Sequence, residues 1–121
     1  MVEQNAPTKK FQKEMNSGTA SLVLLSVLAQ SEEPMYGYQI AKHLDEHSQS
    51  TPMKQSALYP VLRSLEKNAL LASKVEPSVS GPPRRYYHIT DEGRETLAVW
   101  LEIWSEMKNF VDTILEGEDH V

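Results

Sequence analysis

The chain has no cysteine, which excludes a disulfide framework, a thiolate zinc site and a cysteine nucleophile, and fits a cytoplasmic location. Long apolar runs are missing as well. The longest, Leu22 to Ala29, is broken by Ser26 and falls short of a bilayer's span, so no membrane partner is expected. The polar, charged segment before it carries no cleavage-site pattern, and the run reads as core. Glycine is not gathered into a phosphate-binding loop, and no grouping of Ser, His and acid has motif support, so the chain does not read as an enzyme and no cofactor is implied. Positive charge is also in short supply. Twelve Lys and Arg stand against seventeen Asp and Glu, a net of −5, which taken whole counts against a polyanionic partner.

The distribution of charge reverses that impression. Between Lys54 and Ile89 the cations Lys54, Arg63, Lys67, Lys74, Arg84 and Arg85 face only Glu66 and Glu76, a net of +4. From Thr90 to Val121, Arg94 and Lys108 face nine acids, a net of −7, and Met1 to Met53 carries −2. Such a field steers DNA to the middle of the chain and away from its end. With 121 residues, 40% of them hydrophobic and 24% charged, the chain has the makings of one globular domain with an appendage.

The pattern along the chain is mostly helical. Residues 1–10, polar and containing Pro7, are expected to fray. A helix from about Lys9 to Ala29 ends in an apolar second half, with Gly18 a point where it could bend or start. A second helix runs from Tyr36 or Gly37 to His47 with Ile40, Ala41 and Leu44 on one stripe. After the small polar loop Ser48 to Pro52, Leu58, Val61, Leu62 and Leu65 mark a third helix from about Gln55 to Asn68. Pro60 argues that this helix begins no earlier than about Ser56, whose hydroxyl then serves as N-cap. Leu71–Glu76 and Arg84–Ile89 read as two strands joined by a stiff loop, Pro77 to Pro83. Thr90 caps a last helix, which ends near Glu116 ahead of Gly117 and an acidic tail.

Three helices followed by a hairpin define an α+β, mostly helical class with the layout of a winged helix-turn-helix. Its parts are a flexible N-terminus (1–10), a DNA-binding domain (11–89), a C-terminal dimerisation helix (90–116) and an acidic tail (117–121). Opposite the apolar stripe of the third helix lie Ser56, Pro60, Arg63 and Lys67, with Tyr59 and Ser64 at the margins. Arg can fork onto guanine, and Ser, Tyr and Lys can donate to phosphate or base edges. Taken alone, this face could equally be solvated surface that happens to carry two cations. The hairpin adds Arg84, Arg85 and Tyr86 at the stem of a proline-stiffened loop, where a wing can enter a minor groove. Lys54 and Gln55, at the head of the third helix, complete the candidate DNA-contact set.

Three segments in order carry a family resemblance: Tyr36-Gly37-Tyr38-Gln39-Ile40, then Ala57 to Glu66 (ALYPVLRSLE), then Gly81 to Gly93 (GPPRRYYHITDEG). Over roughly Leu22 to Leu97 the chain closely resembles the PadR family of transcriptional regulators. The resemblance implies a winged-helix dimer that represses a nearby promoter from a palindromic double-stranded operator and lets go when a small-molecule effector binds. The chain departs from the pattern in two places: Ser56 and Ala57 stand where the family has a small residue and Thr, and Ser80 where it often has a second Gly. A single C-terminal helix resembles the family's short subgroup.

The last helix argues for a homodimer without the resemblance. Leu97, Trp100, Trp104, Met107, Val111 and Ile114 follow alternating spacings of three and four, an unbroken heptad seam, and Leu101, Ile103 and Phe110 widen it. A domain this small cannot cover so much apolar surface on a helix that runs past the wing, although part of it is expected to pack on the first helix. Two copies of Trp104 facing across a two-fold axis would suit a planar aromatic effector; as interface filler, Trp104 would need no ligand. His43 and His47 are spaced i, i+4, but no third ligand is evident and no metal is expected. A winged-helix module used only for protein–protein contact is the alternative function, and the basic middle segment weighs against it.

Overall fold

The computed structural model describes residues 5–47 and 55–117. The helices are α1 (Ala6–Gln30), α2 (Gly37–His47), α3 (Gln55–Lys67) and α4 (Asp91–Leu115), and the strands are β1 (Met35–Tyr36), β2 (Leu71–Glu76) and β3 (Arg84–Ile89). The strands form an antiparallel sheet in the order β1-β3-β2. Mostly helical with a small sheet, this is the expected fold class.

α1 starts earlier than apolar periodicity suggests. Asn5 caps it, its side chain accepting from the amide of Thr8 at 2.9 Å, and Pro7 sits in the first turn where a missing N–H costs nothing. Residues 6–10, expected as part of a frayed terminus, are therefore helical, and the chain continues through Gly18 without a break. The first turns are exposed, which is why no hydrophobic pattern announces them. Further along, Leu24, Leu25 and Leu28 are buried.

α3 also departs from expectation. It begins at Gln55, so Ser56 is its second residue and not its N-cap, and Pro60 lies inside the helix, beyond the first turn. A proline there removes one intrahelical hydrogen bond. Burial outweighs that loss: Leu58, Leu62 and Leu65 on the opposite face are almost wholly removed from water, each contributing about 1.5–3 kcal/mol. They meet Ile40 of α2, the three leucines of α1, Leu71, Tyr87 and Ile89 of the sheet, and Leu97 of α4 in one core.

The end of α3 is a Schellman turn. Leu70 N–H donates to the Leu65 carbonyl at 3.0 Å and Ala69 N–H to that of Glu66 at 2.9 Å, with Ala69 held at φ +65°. The same turn seats α4. Thr90 N–H donates to the Leu70 carbonyl at 3.1 Å, and the Thr90 hydroxyl donates to the Ala69 carbonyl at 2.7 Å. That hydroxyl oxygen also accepts from Gly93 N–H at 2.9 Å, making Thr90 the N-cap of α4. Gly93 leaves no room for a side chain, since a Cβ there would run into the Leu70 carbonyl oxygen.

The hairpin pairs Leu71 with Ile89 through to Glu76 with Arg84, and β1, too short to show a period in sequence, adds Met35 opposite Tyr87 and Tyr36 opposite Tyr86. α4 lies along α1, with the Arg94 guanidinium 3.4 Å from the Ala29 carbonyl at one end and Met107 beside Met15 at the other, so the two helices run antiparallel. The expected loop 48–52, Lys54 and the tail beyond Gly117 lie outside the described residues.

The α3–α4 joint generates two opposite expectations for urea unfolding. Ala69→Gly relieves a left-handed alanine and should stabilise the protein by about 0.5–1 kcal/mol, whereas Gly93→Ala must displace backbone and should cost more than about 3 kcal/mol. Similar responses at the two sites would refute this account of the joint.

Candidate nucleic-acid interface

Every i, i+3 and i+4 neighbour that α3 buries fixes what it leaves outside. With Leu58, Leu62 and Leu65 in the core, Pro60, Arg63, Ser64 and Lys67 face water. Tyr59 stands at the margin, partly buried, with its ring laid against Gly37: a Cβ on Gly37 would lie 2.6 Å from the Tyr59 hydroxyl. Glycine at the head of α2 is thus what lets α2 and α3 approach with a tyrosine between them. Gln55 and Ser56 open the helix, while Lys54 is outside the described residues.

Alternation along β3 sends its two arginines to opposite faces of the sheet. Arg84 points to the face that carries Tyr36 and Tyr86. Its guanidinium carbon sits 4.5 Å from the centroid of the Tyr36 ring, and Tyr86 meets that ring edge-on at 5.4 Å. Arg85 shares the other face with Tyr87, at the open end of the core. Its Nη1 donates to the Ser73 hydroxyl at 2.8 Å, and that hydroxyl donates to Glu66 Oε2 at 2.6 Å. Burial, then the neighbouring Glu66 carboxylate, push the Tyr87 phenol above its ordinary value, so this ring stays neutral in the core.

Between the head of α2, α3 and the wing lies a cleft of about 450 Å³, lined by Tyr59, Arg84, Arg85, Ser78 and Ser80 among others. Tyr36 and Tyr38 line it too, with Tyr38 54% exposed. Neither tyrosine is among the sequence-derived contact residues. Their signal was the Tyr36-Gly37-Tyr38 segment itself, whose aromatic rings stack at 6.3 Å beside the wing once β1 pairs with β3. Arg63 and Lys67 lie farther along α3 and do not line this cleft.

The α4 seam divides. Leu97 is only 7% exposed and buried in its own core, so it is removed from the residues available to a second chain. Trp100 is partly buried against that core. Trp104, Met107, Val111 and Ile114 remain 40–57% exposed, joined by Ile103 and Phe110. A groove of about 480 Å³ between α1 and α4 is lined by Met15, Leu22, Trp100, Ile103, Trp104 and Met107, among others. His47 Nδ1 donates to the His43 carbonyl at 2.8 Å, and no group of three or more His, Asp or Glu that could hold a metal is found among the described residues. Nor is any helix among them long and apolar enough to cross a membrane.

A helix with a basic outer face, packed across a preceding helix and followed by a hairpin with arginines at its stem, defines a winged helix-turn-helix protein of the DNA-binding class. Residues 24–99 match the PadR-like family of transcriptional regulators. A PadR family transcriptional regulator from Eggerthella lenta superposes with a TM-score of 0.77 at 36% identity, over 89% of this chain and 91% of that one. A PadR-like regulator from Bacillus cereus gives 0.71 at 32% identity, over 87% and 99%. A Lysinibacillus sphaericus protein is 30% identical over 98 residues, 80% of this chain and 87% of its own. The chain belongs to the PadR-like family: it is a DNA-binding transcriptional regulator and not an enzyme.

Proposed function

We propose that the protein represses transcription as a homodimer on a palindromic operator and is released by a planar aromatic effector that binds near Trp104. The observation that carries this reading is the exposed apolar length of α4 beside the α1–α4 groove. Trp104, Met107, Val111 and Ile114 on α4, with Phe11 and Met15 on α1, are large apolar side chains left exposed along the two antiparallel helices, the kind of surface that marks an interaction site. A second copy is self-complementary to it by symmetry.

The joint at Thr90 supports the release step. Because the end of α3 and the start of α4 share two hydrogen bonds, a change in the angle at which two α4 helices meet is passed to the two recognition helices. Those must sit roughly 34 Å apart to enter successive major grooves, so a modest rotation costs one half-site. A ligand that favours the DNA-incompetent dimer by about a hundredfold supplies about 2.7 kcal/mol, enough to empty a moderately occupied operator.

In this reading Arg63 reads a base and Lys67 a phosphate. Arg63→Ala should then lose on the order of 1–3 kcal/mol on the operator while leaving random DNA little changed. Lys67→Ala should weaken all sequences and flatten the salt dependence by about one counterion. Mobility shifts with DNA from upstream of the protein's own gene test this, and equal losses on specific and random DNA would reverse the assignment of Arg63.

Met107→Glu combined with Ile114→Glu, both exposed within the subunit, should leave the fold intact, give a monomer in sedimentation and abolish operator binding. A wild-type protein that sediments as a monomer at micromolar concentration would sink the dimer. For the effector, planar aromatic compounds should quench tryptophan emission and weaken operator binding in parallel. Quenching that survives unchanged in Trp104→Phe would put the ligand elsewhere.

A further inference from the structure

The wing leans on the hydrophobic core only at its root. Along β2, Leu71 is buried and Ala72 and Ser73 partly so, while Lys74, Val75 and Glu76 are exposed; on β3 the exposed residues are Arg84, Arg85 and His88. Ser73 is therefore the last residue of β2 with the core beneath it, and at that point the chain of contacts Arg85–Ser73–Glu66 crosses from the wing to the recognition helix. Its three members come from β3, β2 and α3. Both hydrogen bonds end on an ionised group, so both belong to the stronger, more directional kind. The bridging atom must donate in one direction and accept from the other, which a hydroxyl does with a single oxygen. Nearer the tip and on the opposite face of the sheet, Arg84 lies on the Tyr36 ring, a second contact between wing and body.

We infer that the Glu66–Ser73–Arg85 relay is a clamp that sets the angle of the wing to the recognition helix, and that Arg85 is a positioning residue rather than a phosphate ligand. Glu66 lies on α3 between Arg63 and Lys67 in sequence but on the inner side, partly buried. It places no charge on the outer face of α3, and its carboxylate, through Ser73, draws the Arg85 guanidinium back against the body. Helix and wing engage one duplex together only if the distance between them matches that between adjacent grooves. A clamp at the root, where a small rotation is amplified at the tip, fixes that match at least cost in contacts. The inference rests on the reading that α3 and the wing both bind DNA, and it adds what holds them in register.

Two measurements separate the inference from that reading. Because the chain has no cysteine, Ser64→Cys and Val79→Cys alone introduce a pair of spin labels, one on α3 and one at the exposed wing tip. In samples diluted with unlabelled protein, the distance distribution should be narrow in the parent and in Ser73→Thr, which keeps the hydroxyl. It should broaden in Ser73→Ala and Arg85→Ala. Against upstream DNA, Ser73→Ala should weaken operator binding about tenfold with the salt dependence unchanged, and Ser73→Thr should bind like the parent. Arg85→Ala should match Ser73→Ala, and the double variant should lose no more than either single one. An unbroadened distance in Ser73→Ala overturns the clamp whatever the DNA result. A salt dependence flattened by about one counterion in Arg85→Ala alone makes Arg85 a phosphate ligand and equally overturns it. Distances that respond in a protein that binds no DNA refute the regulator reading, and with it the clamp's role in DNA affinity.

Discussion

Leu70 and Gly93 approach each other so closely that no side chain fits between them, and the rest of the molecule is arranged around that contact. It lets the carbonyl groups of Ala69 and Leu70, in the turn that ends α3, be taken up by Thr90, which in the same stroke caps α4. One threonine thus ties the head of α4 to the turn after α3, 21 residues back in sequence. The recognition helix and the long C-terminal helix are in effect two arms of one rigid bracket. From its arms project the basic face of α3 on one side and the exposed apolar length of α4 on the other.

The wing is held differently. Its strands are paired from end to end, but only its root leans on the core, and the two arginines toward its tip face in opposite directions for the simple reason that neighbouring residues in a strand do. Arg84 is spent on an aromatic ring and Arg85 on a hydroxyl backed by a carboxylate. Two adjacent cations that read in sequence as a single basic patch are in the structure two separate fastenings. The basic surface that remains most open is on α3, and the acids of α4 keep the opposite end of the subunit negative.

The heptad seam is likewise divided by the fold. Its first member, Leu97, completes the home core together with Leu24, Leu28 and Ile89, and Trp100 leans on the same cluster. Within the seam, exposure begins at Trp104, where the helix outruns α1's buried half; Val99, Leu101 and Ile103 beside the seam are already exposed. The groove between α1 and α4 opens at this transition, where two helices that are both apolar cease to be covered by anything else.

Much of this was legible before any coordinates. Leucines at i, i+4 and i+7 determined which side of α3 is buried and therefore that Arg63 and Lys67 face out; two strand-like runs around a proline-rich loop marked the hairpin and the bounds of its strands; Thr90 followed by Asp91 and Glu92 marked the start of α4. These are local signals, carried by neighbours in sequence. What tertiary structure alone decided depends on partners far apart in the chain. Asn5 and Pro7 could start a helix whose exposed turns have no apolar period, Pro60 could be carried inside α3 because the core rewards the leucines beside it, and β1, two residues long, exists only because β3 offers it an edge. Tyr36 and Tyr38 reach the wing by that pairing, and Arg85 finds Glu66 across 19 residues of sequence through a serine that no motif singled out. Periodicity reports which face of an element is buried; only the packed chain determines what that face, or a side chain at its rim, is packed against.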